Sequence, residues 1–388
     1  MKRQHGFSMI ELMVAMTVLT IITAATMGAL VQAQYTTNAV AQMANAQENL
    51  RAGMHFLVRD LTQAGQGIPP QGVSVPNTAA GTSAINRPGI GGVFPNNPTV
   101  FPVVIPGFQQ GALATTVNAQ TGAVLTGGRT DSITMIYADS TLASSNGSGV
   151  LLSGVPITQA APAVPVCAGV IAPNGLTVTI DPACFTMPGT PQPIAAGDLI
   201  MFSNLNGTAI EYVTNVAGNV ITFAAGDPAG LNQTGLPNGT VANINAAGVP
   251  TVISRVWMIT YYIDTATNPS KPQLVRQINY PGFPAASPTY PPQQIADCIE
   301  DLNFTYDIIN STDPVGTYPA GAGNAQQPVL PDNAFQIRAV NTMMAARSEY
   351  PVQMGTSKQY FHNNLSTQVS IRSLAFVNQF NTSATAPE

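Results

Sequence analysis

An apolar run from Met9 to Val31, interrupted by one carboxylate at Glu11, constrains this chain more than any other feature. It follows the short basic leader Met1-Lys2-Arg3-Gln4-His5-Gly6, and every other residue in it is apolar, small or threonine. A helix of that length, rising ~1.5 Å per residue, spans the ~30 Å hydrocarbon core of a bilayer. An ionised glutamate near the boundary of such a segment costs up to ~3 kcal/mol, less if it reaches the interface, so its retention points to function. The leader is too short to fold. Its positive charge predicts that it stays cytoplasmic and that the rest of the chain is extracytoplasmic.

The helical pattern continues past membrane length. Val40, Met43, Gln47, Leu50, Met54, Leu57, Leu61 and Ala64 recur at spacings of three and four, which predicts one stripe on the same helix. Gly65-Gln66-Gly67-Ile68-Pro69-Pro70 then ends it, because glycine supplies a C-terminal cap and proline cannot continue the ladder. A helix from about Ser8 to Ala64 would be ~85 Å long. Gly53 inside the stripe costs about 1 kcal/mol relative to alanine, and is read as a point of close approach to a sheet. Arg51 and His55 are assigned to the solvated face.

Beyond the helix the chain reads as strands: Asp131 to Tyr137, Leu176 to Ile180, Asp198 to Phe202, Ile210 to Phe223 with a turn at Ala217-Gly218-Asn219, Arg255 to Ile263, Gln273 to Tyr280, Leu302 to Ile309, Phe335 to Ser348 and Thr367 to Phe376. The expected class is α+β, a long N-terminal helix packed on an antiparallel meander. Stretches rich in Pro, Gly and Asn separate the strands, chiefly Ile68 to Pro98, Ala143 to Pro165, Gly226 to Pro250 and Asp313 to Pro331, and are read as long loops without repeats. The division expected is a leader at 1–6, an apolar half-helix at 7–31, an amphipathic half at 32–65, a β-rich body at 66–380 and a frayed tail at 381–388. No second apolar run reaches transmembrane length, so one span is expected.

Gly6, Phe7 and Glu11, with the apolar helix behind them, resemble the class III signal of type IV pilins and type II secretion pseudopilins. An ordinary secretory signal is the alternative, with Val31-Gln32-Ala33 as its cleavage site. Glu11 within the run and the continuing stripe argue against it. The resemblance implies that a prepilin peptidase cuts after Gly6 and methylates the amine of Phe7, and that Glu11 pairs with the Phe7 ammonium of a neighbouring subunit. Such pairing would neutralise two charges in a low dielectric and set helix register in a fibre.

More weakly, Asn49 to Gly65, Asp131 to Tyr137, Ile299 to Tyr306 and Val369 to Ser373 resemble PilW-type minor pilins. That likeness implies a subunit that primes or caps a pilus with other major and minor pilins and the inner-membrane assembly platform, and that ends on the cell surface. A J-type minor pseudopilin of type II secretion is also similar, and an adhesive head at a pilus tip is a further reading of the loops.

Composition suits an exported body. Charged residues are 8% against a usual ~25%, so the surface is largely neutral. The formal net charge moves from −5 to −7 when Lys2 and Arg3 leave with the leader, which argues against general nucleic-acid binding. Cys167 and Cys184 are close enough in sequence to bridge in an oxidising compartment, closing a loop worth about 3 kcal/mol, while Cys298 is expected in a core strand environment. Three histidines, His5, His55 and His362, form no cluster, and no nucleophile elbow or phosphate loop has the required context. No catalytic residue, cofactor or metal site is therefore expected. Asp297, Glu300 and Asp301 lack the ladder of a calcium loop and are read as a solvated turn.

Overall fold

The computed structural model describes residues 8–371 except 70, 79–80, 83–84, 90–93, 95–98, 112, 118–123, 140–154, 158–168, 181–193, 247–248, 250, 281–289, 309–315, 318–334, 336 and 355–356. Helix α1 runs Met9–Gln63, with Ser8 in an extended conformation before it and Ala64 after it. Gly65 takes φ +79°, the left-handed conformation that a non-glycine residue adopts only at a cost, and its N–H crosses to Ile136 O at 2.8 Å. The sequence-based limits therefore hold. The stripe does not hold throughout: its buried members are Ala46, Leu50, Gly53, Met54, Leu57, Asp60, Leu61 and Ala64, whereas Val40 is 60% exposed and Gln47 faces solvent. Val40 and Gln47 fit the helical period but face away from the described body, which half-covers Gln42 and Met43 and buries the inward stripe from Ala46 on.

Ten strands position that covering: β1 (Val104–Gly107), β2 (Ser132–Ala138), β3 (Leu199–Asn204), β4 (Gly207–Tyr212), β5 (Thr251–Asp264), β6 (Gln273–Ile278), β7 (Gln293–Asp297), β8 (Ile299–Ile308), β9 (Ile337–Arg347) and β10 (His362–Ser370). All the pairings among them are antiparallel, so the α+β class is as expected. A simple meander is not. The 14-residue β5 is a spine: its first half pairs with β3 and with Val155–Ile157, its second half with β6 and β2. Thus β2, more than 100 residues upstream, joins the same strand as the β5–β6 hairpin. The second sheet holds Gly316–Thr317, β8, β9 and β10 in that order.

Residues of β2 are buried on both faces except Tyr137, which is half-buried, because the strand lies inside the body and not on a solvated sheet. One core joins Leu50, Met54, Leu57 and Leu61 of the helix to Ile259 and Tyr261 of β5, Leu274 of β6, Leu302 of β8, Met344 of β9 and Val369 of β10. Gly53 is the closest approach: a Cβ there would lie 2.9 Å from Leu274 Cδ2 and 3.0 Å from Met344 Sδ. A larger residue there would have to push those two side chains aside.

A satellite core around Phe202 and Phe223 lies under a small sheet of Gly169–Ile171, Thr177–Ile180, Val220–Thr222 and Asn215–Ala217. Parts of the Gly/Pro-rich stretches are ordered. Residues 226–250 contain the short helix α2 (Val241–Ile244), and Asp227 accepts the N–H groups of Ala229, Leu231 and Asn232 at 2.9–3.1 Å. A carboxylate gathering several amides ties down a loop that composition alone marks as irregular.

Candidate functional site

The projecting half of α1 carries the features that sequence marks for function. From Met9 to Val31 every residue is exposed, including Met9 at 85% and Ile10 at 73%, and no described part of the body covers them. By length and composition this is a helix able to cross a membrane. Its threonines need no water. The hydroxyls of Thr17, Thr20, Thr23 and Thr26 donate to carbonyls one turn back, at 2.8 Å to Val14 O, 2.8 Å to Thr17 O, 2.6 Å to Leu19 O and 3.0 Å to Ile22 O. Their polarity is therefore absorbed within the helix, as an apolar surrounding demands.

Glu11 is the exception. It stands at the third helical position and its Oε2 accepts the Ser8 N–H at 3.0 Å, so the side chain folds back toward the start of the helix. There the unsatisfied amides favour a negative charge. Ile10, Val14, Ala15, Val18, Leu19 and Ile22 share one face of the helix with Glu11, which is its sole charged group. The arrangement can do two things chemically: bury an apolar helix face against lipid or another helix, and offer one carboxylate to a cation near the helix start. Gly6 and Phe7, like Cys167 and Cys184, lie outside the described residues.

The other half of α1 is fixed by a charge cluster that sequence reading missed. Asp60 is fully buried; its Oδ2 accepts Arg276 Nε at 2.5 Å and the Tyr261 hydroxyl at 2.7 Å, and its Oδ1 accepts Arg59 Nε at 3.2 Å. Burial alone would lower Arg276, but the hydrogen bond and charge of Asp60 outweigh it and hold the guanidinium above its ordinary value. Tyr137 nearby is pushed up to about 12 by burial and then by the charge of Asp60. The helical period was the available signal, since position 60 falls between Leu57 and Leu61 on the inward face. Its partners on β5 and β6 are 201 and 216 residues away and carry no local signature.

A second buried cluster closes the far side of β5. Arg255 Nε donates to Asp139 at 2.8 Å, its Nη1 lies 3.6 Å from Asp198, and the Tyr290 hydroxyl donates to Asp198. The guanidinium also stacks 5.0 Å over Trp257, which meets Tyr290 edge to face. These contacts explain how so weakly charged a chain keeps charges inside: they are paired across strands.

The acidic segment is not a solvated turn. Asp297 pairs with Lys271 at 3.1 Å, Glu300 is buried with its Oε1 2.7 Å from His362 Nδ1, and Asp301 accepts the Leu302 N–H at 2.9 Å. All three sit where β7, the end strand of the main sheet, passes into β8 of the second sheet, so the chain runs from strand to strand through them. Cys298 at the junction is a buried free thiol with φ +56°, at an irregular step between two strands and not within either. Among the described residues no group of three or more His, Cys, Asp or Glu side chains could hold a metal ion.

Residues 1–27 match the family described as the prokaryotic N-terminal methylation motif. No curated protein and no solved structure matches the chain. The motif supports a type IV pilin or pseudopilin, implies processing by prepilin peptidase and association with pilus machinery, and with the apolar helix is consistent with membrane anchoring.

Proposed function

We propose that this chain is a minor type IV pilin of the PilW type, a structural subunit that primes or caps pilus assembly and is no enzyme. The single observation that carries the reading is the N-terminal methylation motif running without a break into a helix whose first half is bare and apolar and whose second half is locked into a β body. A major shaft subunit has no need of so large a head, whereas a subunit present in few copies can carry one. In this reading Gly6 precedes the cut, Phe7 becomes the methylated N-terminus, Glu11 sets subunit register, and residues 66–380 stay outside the inner membrane until the fibre reaches the cell surface. Cys167 and Cys184 would bridge in that oxidising compartment.

Mass spectrometry of the mature chain tests the reading, together with its level in sheared fibres. The expected result is an N-methylated Phe7 terminus, low abundance in the fibre, and loss of piliation when the gene is removed. A terminus at Gln34 would mean ordinary signal cleavage and would overturn it. Loss of secretion with intact pili would move the chain to a secretion pseudopilus, and normal pili that no longer attach would make it an adhesin.

A further inference from the structure

The outer face of the second sheet carries a cleft of about 530 Å³. Two rows of side chains cross it. Asn303, Met343 and Ser366 stand opposite one another on β8, β9 and β10, and Thr305, Asn341 and Gln368 do the same one pleat further along. Helix α1 lies behind this surface and not on it: Leu302, Met344 and Val369, which point to the other side of the same strands, are the residues that join its core. Ser366 and Gln368 are exposed, and Met343 is 40% exposed at the centre of its row.

Carboxylates hold the amides of this cleft in place. Asp307 accepts Asn341 Nδ2 at 2.8 Å through one oxygen and Gln368 Nε2 through the other, and Asp301 accepts Asn303 Nδ2 at 2.7 Å. A carboxylate only accepts, so each amide must turn its nitrogen to the aspartate and its carbonyl oxygen away from it. Among the described residues nothing donates to those three carbonyl oxygens. Thr305 and Ser366 add two hydroxyls. Both oxygens of Asp307 are thus occupied, and the cleft presents an acceptor-rich set of groups whose orientation is fixed before anything binds.

We propose that this cleft binds a neutral saccharide through its hydroxyl groups. Each sugar hydroxyl brings a proton, so a sugar can donate to all three amide oxygens at once. An extended peptide brings one carbonyl acceptor for every N–H, and carbonyls facing those oxygens would be left unpaired. An anion would meet two carboxylates and no cation among the lining residues, while a cation would have to displace two amides from Asp307. Met343, beside the polar groups, supplies an apolar spot for the C–H face of a sugar ring. Because the amides are already clamped, little side-chain freedom is lost on binding. The site goes beyond the proposed function and does not rest on it, since the chemistry belongs to the body alone.

The test uses the purified full-length chain in a detergent without a sugar headgroup, titrated with maltohexaose, cellohexaose, chitohexaose and mannohexaose. Heparin and an uncharged hexapeptide serve as the opposing probes. At least one of the four neutral oligosaccharides should bind with a Kd of about 1 mM or tighter, and more tightly than either opposing probe. Asp307→Ala releases two amides and should weaken that binding at least about tenfold; Gln368→Ala, which removes one exposed side chain and no strand pairing, should weaken it at least about threefold. No binding of any of the four, tighter binding of heparin or the peptide, or wild-type affinity in folded Asp307→Ala would each overturn the proposal. Should Asp307→Ala fail to fold, Gln368→Ala and Asn303→Ala decide, and wild-type affinity in both would overturn it.

Discussion

The two halves of α1 are built on the same helical geometry and obey opposite rules. From Met9 to Val31 the helix carries its apolar residues outward on every side, and its polarity is either folded back on its own backbone, as at Thr17, or concentrated at Glu11. From Ala46 to Ala64 the apolar residues form one stripe, and the charge that sits on that stripe, Asp60, is answered from the sheet. Glycines mark the difference. A Cβ at Gly28 would meet nothing within 4 Å, whereas at Gly53 it meets two core side chains within 3.0 Å. One half is thus finished inside the monomer, and the other has its surface left for something outside it.

If that contrast is right, the largest loss of body stability comes from the charge that docks the helix. Asp60→Ala leaves Arg276 buried without its carboxylate and Tyr261 without its acceptor. Breaking one side of a buried pair costs about 3–5 kcal/mol. Chemical unfolding of the detergent-solubilised full chain should show it, and a change under about 1 kcal/mol would mean that the helix is held by the apolar stripe alone.

Burial of carboxylates sets the next effect. Asp131 accepts the Gln109 N–H at 2.9 Å and the Phe304 N–H at 3.0 Å, tying β2 to β8, and burial pushes its carboxyl up to about 6 against an ordinary 3.8. A group whose folded value is raised stabilises the fold fully below its unfolded value, and that contribution is lost as pH rises through the folded value. Between pH 4 and pH 6 Asp131 should therefore cost the body about 3 kcal/mol. Asp198, Glu211, Asp227 and Asp301 are raised by burial as well and act in the same direction. The melting temperature should be higher at pH 5 than at pH 7. An unchanged or reversed order would show that these buried carboxylates do not govern the pH response.

The glycines give the third comparison. Gly53→Val must displace Leu274 and Met344, for about 1–3 kcal/mol of overpacking, while the same change at Gly28 should leave unfolding of the body unaltered. Equal effects at the two positions would erase the distinction between the halves.

Sequence reading reached different depths in the two halves for a physical reason. Helix limits, the Gly53 contact and most strands depend on local periodicity and local punctuation, which a linear pattern records. The pairing of β2 with β5, the order of strands around that spine, and the answer to Asp60 depend on residues more than 100 positions apart, which it does not. The acidic run from Asp297 to Asp301 was misread because charge usually means solvent, and here the charges meet Lys271 and His362 brought in by folding. For the projecting half the situation is reversed. Glu11 stood out in the sequence because nothing nearby explains it, and among the described residues it gains only the Ser8 amide.

Glu11 therefore gives the smallest expected effect on stability and the sharpest test of the contrast. Its side chain touches no described residue of the body, so Glu11→Ala should change unfolding by less than about 0.5 kcal/mol. Membrane insertion should be as good or better, since a charge near the apolar run is removed. Processing at Gly6 should continue. In an assembled stack the loss is of another kind, because the Phe7 ammonium of a neighbour would be left in low dielectric without its partner. The variant should accumulate in the inner membrane, processed and folded, and be depleted from sheared fibres, as quantitative immunoblotting of the two fractions would show. Wild-type entry of Glu11→Ala into fibres would mean that this carboxylate pairs with nothing, and would place the chain at a tip where no subunit above requires it.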